Sequence, residues 1–128
     1  MSNAAYKKYK ETSIQSASRE KILLMLYEGA IKFTKLAIQG VEKNNVKEKC
    51  ENIGRAYDIV LELNNTLDHK VGGELAQRLE QLYQFMIEQF IKANTQNDVE
   101  SLKTVQKLLE TLYDGWVQAI QKMKNETK

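Results

Sequence analysis

The chain has 128 residues, with 19 lysines and arginines against 17 aspartates and glutamates, for a formal net charge of +2 at pH 7. That length suits one domain with a real core and leaves no room for a second functional one. So balanced a charge provides no field to gather nucleic acid or an anionic membrane surface, which excludes the partner classes that need one.

There is no proline and there are only six glycines, so the punctuation of strands and hairpins is nearly absent. Leu, Ile, Lys, Glu, Gln and Ala dominate, all good helix formers or tolerant of helix. No run approaches the ~18 consecutive apolar residues of a membrane span, and the opening stretch lacks the apolar centre of a signal peptide. The expected location is therefore the cytosol, without membrane insertion. The single cysteine, Cys50, can close no internal disulfide and falls on an apolar helical register, where a small buried thiol is expected.

Residues 1–17 are polar but carry Tyr6, Tyr9 and Ile14, more apolar anchors than a spacer needs. Ser18 can cap a first helix, along which Ile22, Leu26, Gly29, Phe33, Leu36, Ala37 and Gly40 recur at three- and four-residue steps as far as Glu42 or Lys43. Asn44-Asn45 breaks the pattern. Val46, Cys50, Ile53, Ala56, Tyr57, Val60, Leu63 and Leu67 then mark a second helix ending near Asp68. Asp68 to Gly73 reads as a connector, after which Leu75, Leu79, Leu82, Met86, Phe90 and Ala93 mark a third helix, closed at Asn94 to Gln96.

Asn97-Asp98-Val99-Glu100 has the form of a capping box with Asn97 as the cap. The fourth helix follows through Leu102, Val105, Leu109, Leu112, Trp116, Ala119, Ile120 and Met123. Helices of about 22 to 26 residues would be about 33 to 39 Å long, and short loops make neighbours antiparallel. The expected fold is all-α: an antiparallel up-and-down four-helix bundle over residues 18–124. A short N-terminal segment, 1–17, packs on it, and 125–128 form a disordered tail.

One apolar stripe per helix builds a bundle core, so apolar residues off the stripe need a reason. Leu24, Ile31 and Ile38 are displaced from the first stripe, with Leu23, Tyr27 and Ala30 between them. Tyr83, Ile87 and Ile91 are displaced on the third helix, and Leu108 and Val117 on the fourth. Two readings stay open: a wider core, or a groove for an apolar partner helix. On the second, the client-binding candidates are Leu24, Tyr27, Ile31, Tyr83, Ile87 and Leu108. Trp116, on the main stripe, is read as core.

Catalytic residues are not expected, nor is a metal or other cofactor. His69 is the only histidine, no second His or Cys lies near it, and there is no Gly-rich phosphate loop or nucleophile arrangement. A histidine phosphotransfer domain is also a four-helix bundle, but its histidine must project from a helix face, whereas His69 falls in the connector. The other alternative is a generic helical-bundle adaptor for an amphipathic client.

The sequence resembles the FliS family, flagellin-specific chaperones of the flagellar type III export system, over roughly residues 4–121. The resemblance rests on Ala5-Tyr6-Lys7-Lys8-Tyr9 with Ala17-Ser18, on residues 24–33 (Leu-Met-Leu-Tyr-Glu-Gly-Ala-Ile-Lys-Phe), and on Thr66-Leu67-Asp68. Leu82-Tyr83, Ala93-Asn94, Asn97-Asp98 and Trp116 add to it. The chain departs from the family where Ser-Pro-Gly-Glu is usual and Ser18-Arg19-Glu20-Lys21 stands instead. That change removes a favourable first-turn proline and a capping carboxylate, although Glu20 still suits the helix dipole.

The resemblance implies a cytosolic chaperone that binds the C-terminal segment of flagellin, prevents premature polymerisation and presents the subunit to the export gate, a component of which would be a further partner. A disordered client segment folding as helices along apolar grooves fits that role. Tyr6, Tyr9 and Ile14 are then expected to cap the groove of the free chaperone.

Overall fold

The computed structural model describes residues 18–126, and Tyr6, Tyr9 and Ile14 lie outside the described residues. The described chain forms α1 (Arg19–Glu42), α2 (Val46–Asn65), α3 (His69–Gln96) and α4 (Val99–Glu126). α1 packs on α2 and α4, and α3 packs on the same two helices, which closes an up-and-down bundle. α4 continues to Glu126, through the first two residues of the expected tail.

The helix ends follow from local chemistry. Ser18 caps α1, its Oγ accepting from the Lys21 amide at 3.2 Å. Asn44 ends it in the left-handed region (φ 56°), and Asn45 starts α2 by accepting from the Glu48 amide at 3.1 Å.

Three expectations at helix ends change. Residues 68–73 are not an open connector: Asp68 Oδ1 accepts from the Lys70 and Val71 amides at 3.0 and 3.1 Å, so α3 begins at His69. Only Gly73 (φ 51°, ψ −123°) interrupts the helix, a conformation that glycine adopts at little cost. His69 thus sits in the first turn of α3, where Nε2 is 2.9 Å from Glu80 Oε2.

The third change is at Asn97, which does not cap α4. It is the left-handed residue that ends α3 (φ 53°, ψ 36°), and Asp98 Oδ1 takes the Glu100 and Ser101 amides at 3.1 and 3.4 Å. A two-residue connection needs a positive φ at its first residue, which asparagine tolerates best after glycine. The Asn97 side chain is also engaged elsewhere, accepting from Lys49 Nζ at 2.8 Å, while the same ammonium reaches the Asn94 carbonyl at 3.1 Å. The buried Lys49 cation therefore ties α2 to the negative end of α3.

The core runs through Tyr27, Ala30, Ala37 and Ile38 of α1, Ile53, Ala56, Val60 and Leu63 of α2, Leu79 to Ala93 of α3, and Leu102, Val105 and Leu109 of α4. On α1 the buried face lies one residue round from the expected stripe. Thr34 is fully buried within it, its hydroxyl donating to the Ala30 carbonyl at 2.7 Å. A polar residue satisfied by its own helix disguises a core position. Cys50, expected buried, is exposed on the rim of α2, with Sγ 3.5 Å from Asn94 Oδ1.

Candidate functional site

α3 and α4 make the least extensive contact of the four adjacent pairs. Between them runs an open furrow of ≈ 770 Å³. From α3 its wall takes Arg78, Gln81, Leu82 and Phe85, and from α4 Thr104, Lys107, Leu108 and Thr111. The two threonines add little polarity, because Thr104 Oγ1 donates to the Glu100 carbonyl and Thr111 Oγ1 to the Lys107 carbonyl, each at 2.9 Å. What faces a ligand is an apolar floor with one cation on each wall.

A second furrow of ≈ 600 Å³ lies on the other side of α4, against α1, with Ile31 and Leu36 among its apolar residues. Glu28, Lys32, Lys35, Glu110 and Asp114 rim it. The Tyr113 hydroxyl donates to Glu28 Oε1 at 2.7 Å, and that carboxylate pushes the Tyr113 pKa up. Lys107 and Thr111 of the first furrow, and Glu110 and Asp114 of the second, share a shallow hollow across the polar face of α4. The two furrows are thus neighbours astride one helix.

A smaller depression of ≈ 260 Å³ lies at the end of the bundle where α1 begins, lined by Leu23, Leu67, Val71, Leu75 and Trp116 among others. Trp116 itself is half-buried and packs against the core.

The six candidate residues fall in different places. Leu108 lines the α3–α4 furrow and Ile31 the α1–α4 furrow. Leu24 is half-buried in neither, and Ile87 is half-buried against the core.

Tyr27 and Tyr83 are not groove residues: they are 0% and 1% exposed and share a 2.5 Å hydrogen bond between their hydroxyls. Two phenols can be buried on the axis because each satisfies the other. Burial raises the pKa of Tyr27, opposed by hydrogen bonding with Tyr83 and Trp116. Burial also raises that of Tyr83, reinforced by the neighbouring Tyr27.

Leu82, expected on the core stripe, turns outward with Phe85 to form the furrow, because the buried face of α3 runs Ala76, Leu79, Tyr83, Met86, Phe90, Ala93. That series has the same three- and four-residue steps as a face through Leu82. The signal that separates them is Phe85, a large apolar residue three positions on from Leu82 and off the buried series.

No helix among the described residues is long and apolar enough to cross a membrane. Nor do they hold a group of three or more His, Cys, Asp or Glu side chains arranged for a metal.

The described residues thus define a class of protein, an all-α bundle with short loops and open apolar furrows astride one helix. Comparison with known proteins makes the class specific. The family model described as flagellar protein FliS matches residues 1–123. The flagellar secretion chaperone FliS of Bacillus subtilis is 35% identical over 116 residues, covering 91% of this chain and 86% of that one. Its counterpart from Vibrio cholerae is 35% identical over 115 residues, covering 89% and 85%. A solved flagellar chaperone from bacteria superposes with a TM-score of 0.76 at 19% identity over 93% of this chain and 97% of that one, a likeness of fold. The chain belongs to the FliS family of flagellar secretion chaperones, a chaperone family rather than an enzyme family.

Proposed function

We propose that this chaperone binds the C-terminal helical segment of flagellin in the cytosol, keeps it from polymerising prematurely and delivers it to the flagellar type III export apparatus. The observation that carries the reading is the α3–α4 furrow, an apolar trough about two helical turns long, lined from Arg78 to Phe85 and from Thr104 to Thr111, that no described part of the chain fills. The second furrow, across α4, suits a client that continues round the bundle as another helix. Held in two troughs, its apolar faces are unavailable to a second flagellin.

In this reading Tyr6, Tyr9 and Ile14 cover a furrow in the free chaperone and the client displaces them. A tethered competitor acts at roughly millimolar effective concentration. If it leaves the furrow open a tenth of the time, client affinity falls about tenfold, or ~1.4 kcal/mol. Delivery would bring in a second partner, a component of the export gate.

Calorimetric titration of the chaperone with a peptide from the C-terminal helix of the same organism's flagellin tests the core of this. Saturable binding is expected, weakened by Phe85→Ala. No heat and no co-migration on gel filtration would overturn it. Tyr6→Ala with Tyr9→Ala should leave the bundle folded and tighten client binding.

A further inference from the structure

The two furrows astride α4 differ in the sign of their charge. The α3–α4 furrow carries Arg78 on one wall and Lys107 on the other, with no carboxylate lining it. Arg78 pairs with Glu74 at 2.6 Å, outside the trough, through exposed side chains. Lys107 makes no ion pair among the described residues, although acidic residues share its helix. Lys103, one turn away, lies only 3.9 Å from an exposed Glu100 and shares the hollow beside Lys107. The α1–α4 furrow, by contrast, has Glu28, Glu110 and Asp114 facing Lys32 and Lys35.

We propose that the α3–α4 furrow selects an amphipathic client helix whose apolar stripe is flanked on both sides by Asp or Glu, with Arg78 and Lys107 reading the two flanks. This rests on the client-binding reading above and adds the charge pattern of the segment bound. The floor of Leu82, Phe85 and Leu108 supplies undirected affinity that any apolar stripe satisfies. The threonine hydroxyls on the α4 wall are already bonded to their own helix. Gln81 on the α3 wall carries no charge, so discrimination by charge falls to Arg78 and Lys107. Rim charges of this kind act on encounter rate and partner choice more than on the depth of binding.

The test uses the full chain and two labelled helical peptides with one identical apolar stripe, flanked by Glu in one and by Lys in the other, read by fluorescence anisotropy. At low ionic strength the Glu-flanked peptide should bind about tenfold more tightly, two screened rim pairs being worth about that much. The preference should shrink to about twofold in ~0.5 M salt. Arg78→Glu with Lys107→Glu, both exposed positions, should reverse it. Equal affinity of the two peptides, or a preference untouched by the double substitution, overturns the proposal. If the flagellin peptide still binds in that case, only the charge rule falls. If neither it nor either designed peptide binds, the client reading falls with it.

Discussion

The hairpin of α1 and α2 and the hairpin of α3 and α4 are built from similar helices and behave oppositely. In the first, small residues let the backbones meet. A Cβ at Gly40 would lie 2.5 Å from the Lys49 amide nitrogen and 2.9 Å from its Cα, and Ala30, Ala37 and Ala56 are fully buried nearby. In the second, Leu82, Phe85 and Leu108 line a furrow between the helices that no described residue fills. The contrast separates two uses of apolar residues. Where the partner helix is close they make stability, and where it is withdrawn they line an open furrow.

The sharpest way to break that contrast is to open the closed side. Gly40→Ala puts a methyl against backbone that has no room to yield, so a loss of about 3 kcal/mol is expected, read as a lower urea midpoint at unchanged slope. A smaller effect, of opposite kind, is expected from Phe85→Ala on the open side. Unfolding free energy should change by under ~1 kcal/mol, while affinity for the flagellin peptide drops about tenfold to thirtyfold, or ~1.4 to 2 kcal/mol. Equal effects on stability at the two positions would erase the distinction.

Next in size is the axis between the hairpins. Tyr83→Phe leaves the Tyr27 hydroxyl without that partner and should cost about 1 to 1.5 kcal/mol. The double change with Tyr27→Phe should cost less than the two single changes added. The same pair sets an alkaline limit. Both phenols have pKa values raised above the ordinary 10.0, so their contribution is intact below that pH and is lost as the pH rises beyond it. Ultraviolet titration of the folded chain should show the Tyr27 and Tyr83 phenols ionising above the ordinary tyrosine range, as the bundle opens.

The smallest expected effect is a gain. Gly115 shares a face with Leu108 and Thr111, and a Cβ there meets nothing. Gly115→Ala should add about 0.5 to 1 kcal/mol by helix propensity. A simultaneous loss of client binding would extend the proposed client face by one turn.

The helices are legible in the sequence because their period is repeated many times, Ser18 marks the first start and Asn44-Asn45 breaks the pattern before the second. The rotation of each helix is less so. On α1, Thr34 hides the buried face by satisfying its hydroxyl locally, and on α3 neighbouring Leu82 and Tyr83 offer two faces of equal periodicity. Leu108 and Ile31 are legible as surplus, and the structure gives each a furrow. Tyr27 and Tyr83 mislead because an aromatic off the main stripe reads as surface until its hydroxyl is seen to have a buried partner 56 residues away. The width of the space between α3 and α4 is a long-range property that no local pattern encodes.

Trp116 is the one tryptophan in the chain, and it lines the depression at the bundle end together with Tyr83. Its indole also lies within hydrogen-bonding influence of the Tyr27 hydroxyl. The molecule thereby contains a donor and acceptor pair for resonance energy transfer, with tyrosine excitation emerging as tryptophan light. Along α4 the indole stands about 12 Å from Leu108, eight residues at the helical rise. A ligand confined to the furrow should leave that emission nearly unchanged, whereas anything that loosens the bundle end will shift it to the red. Unlabelled protein can therefore tell a client that docks from one that pries the bundle open.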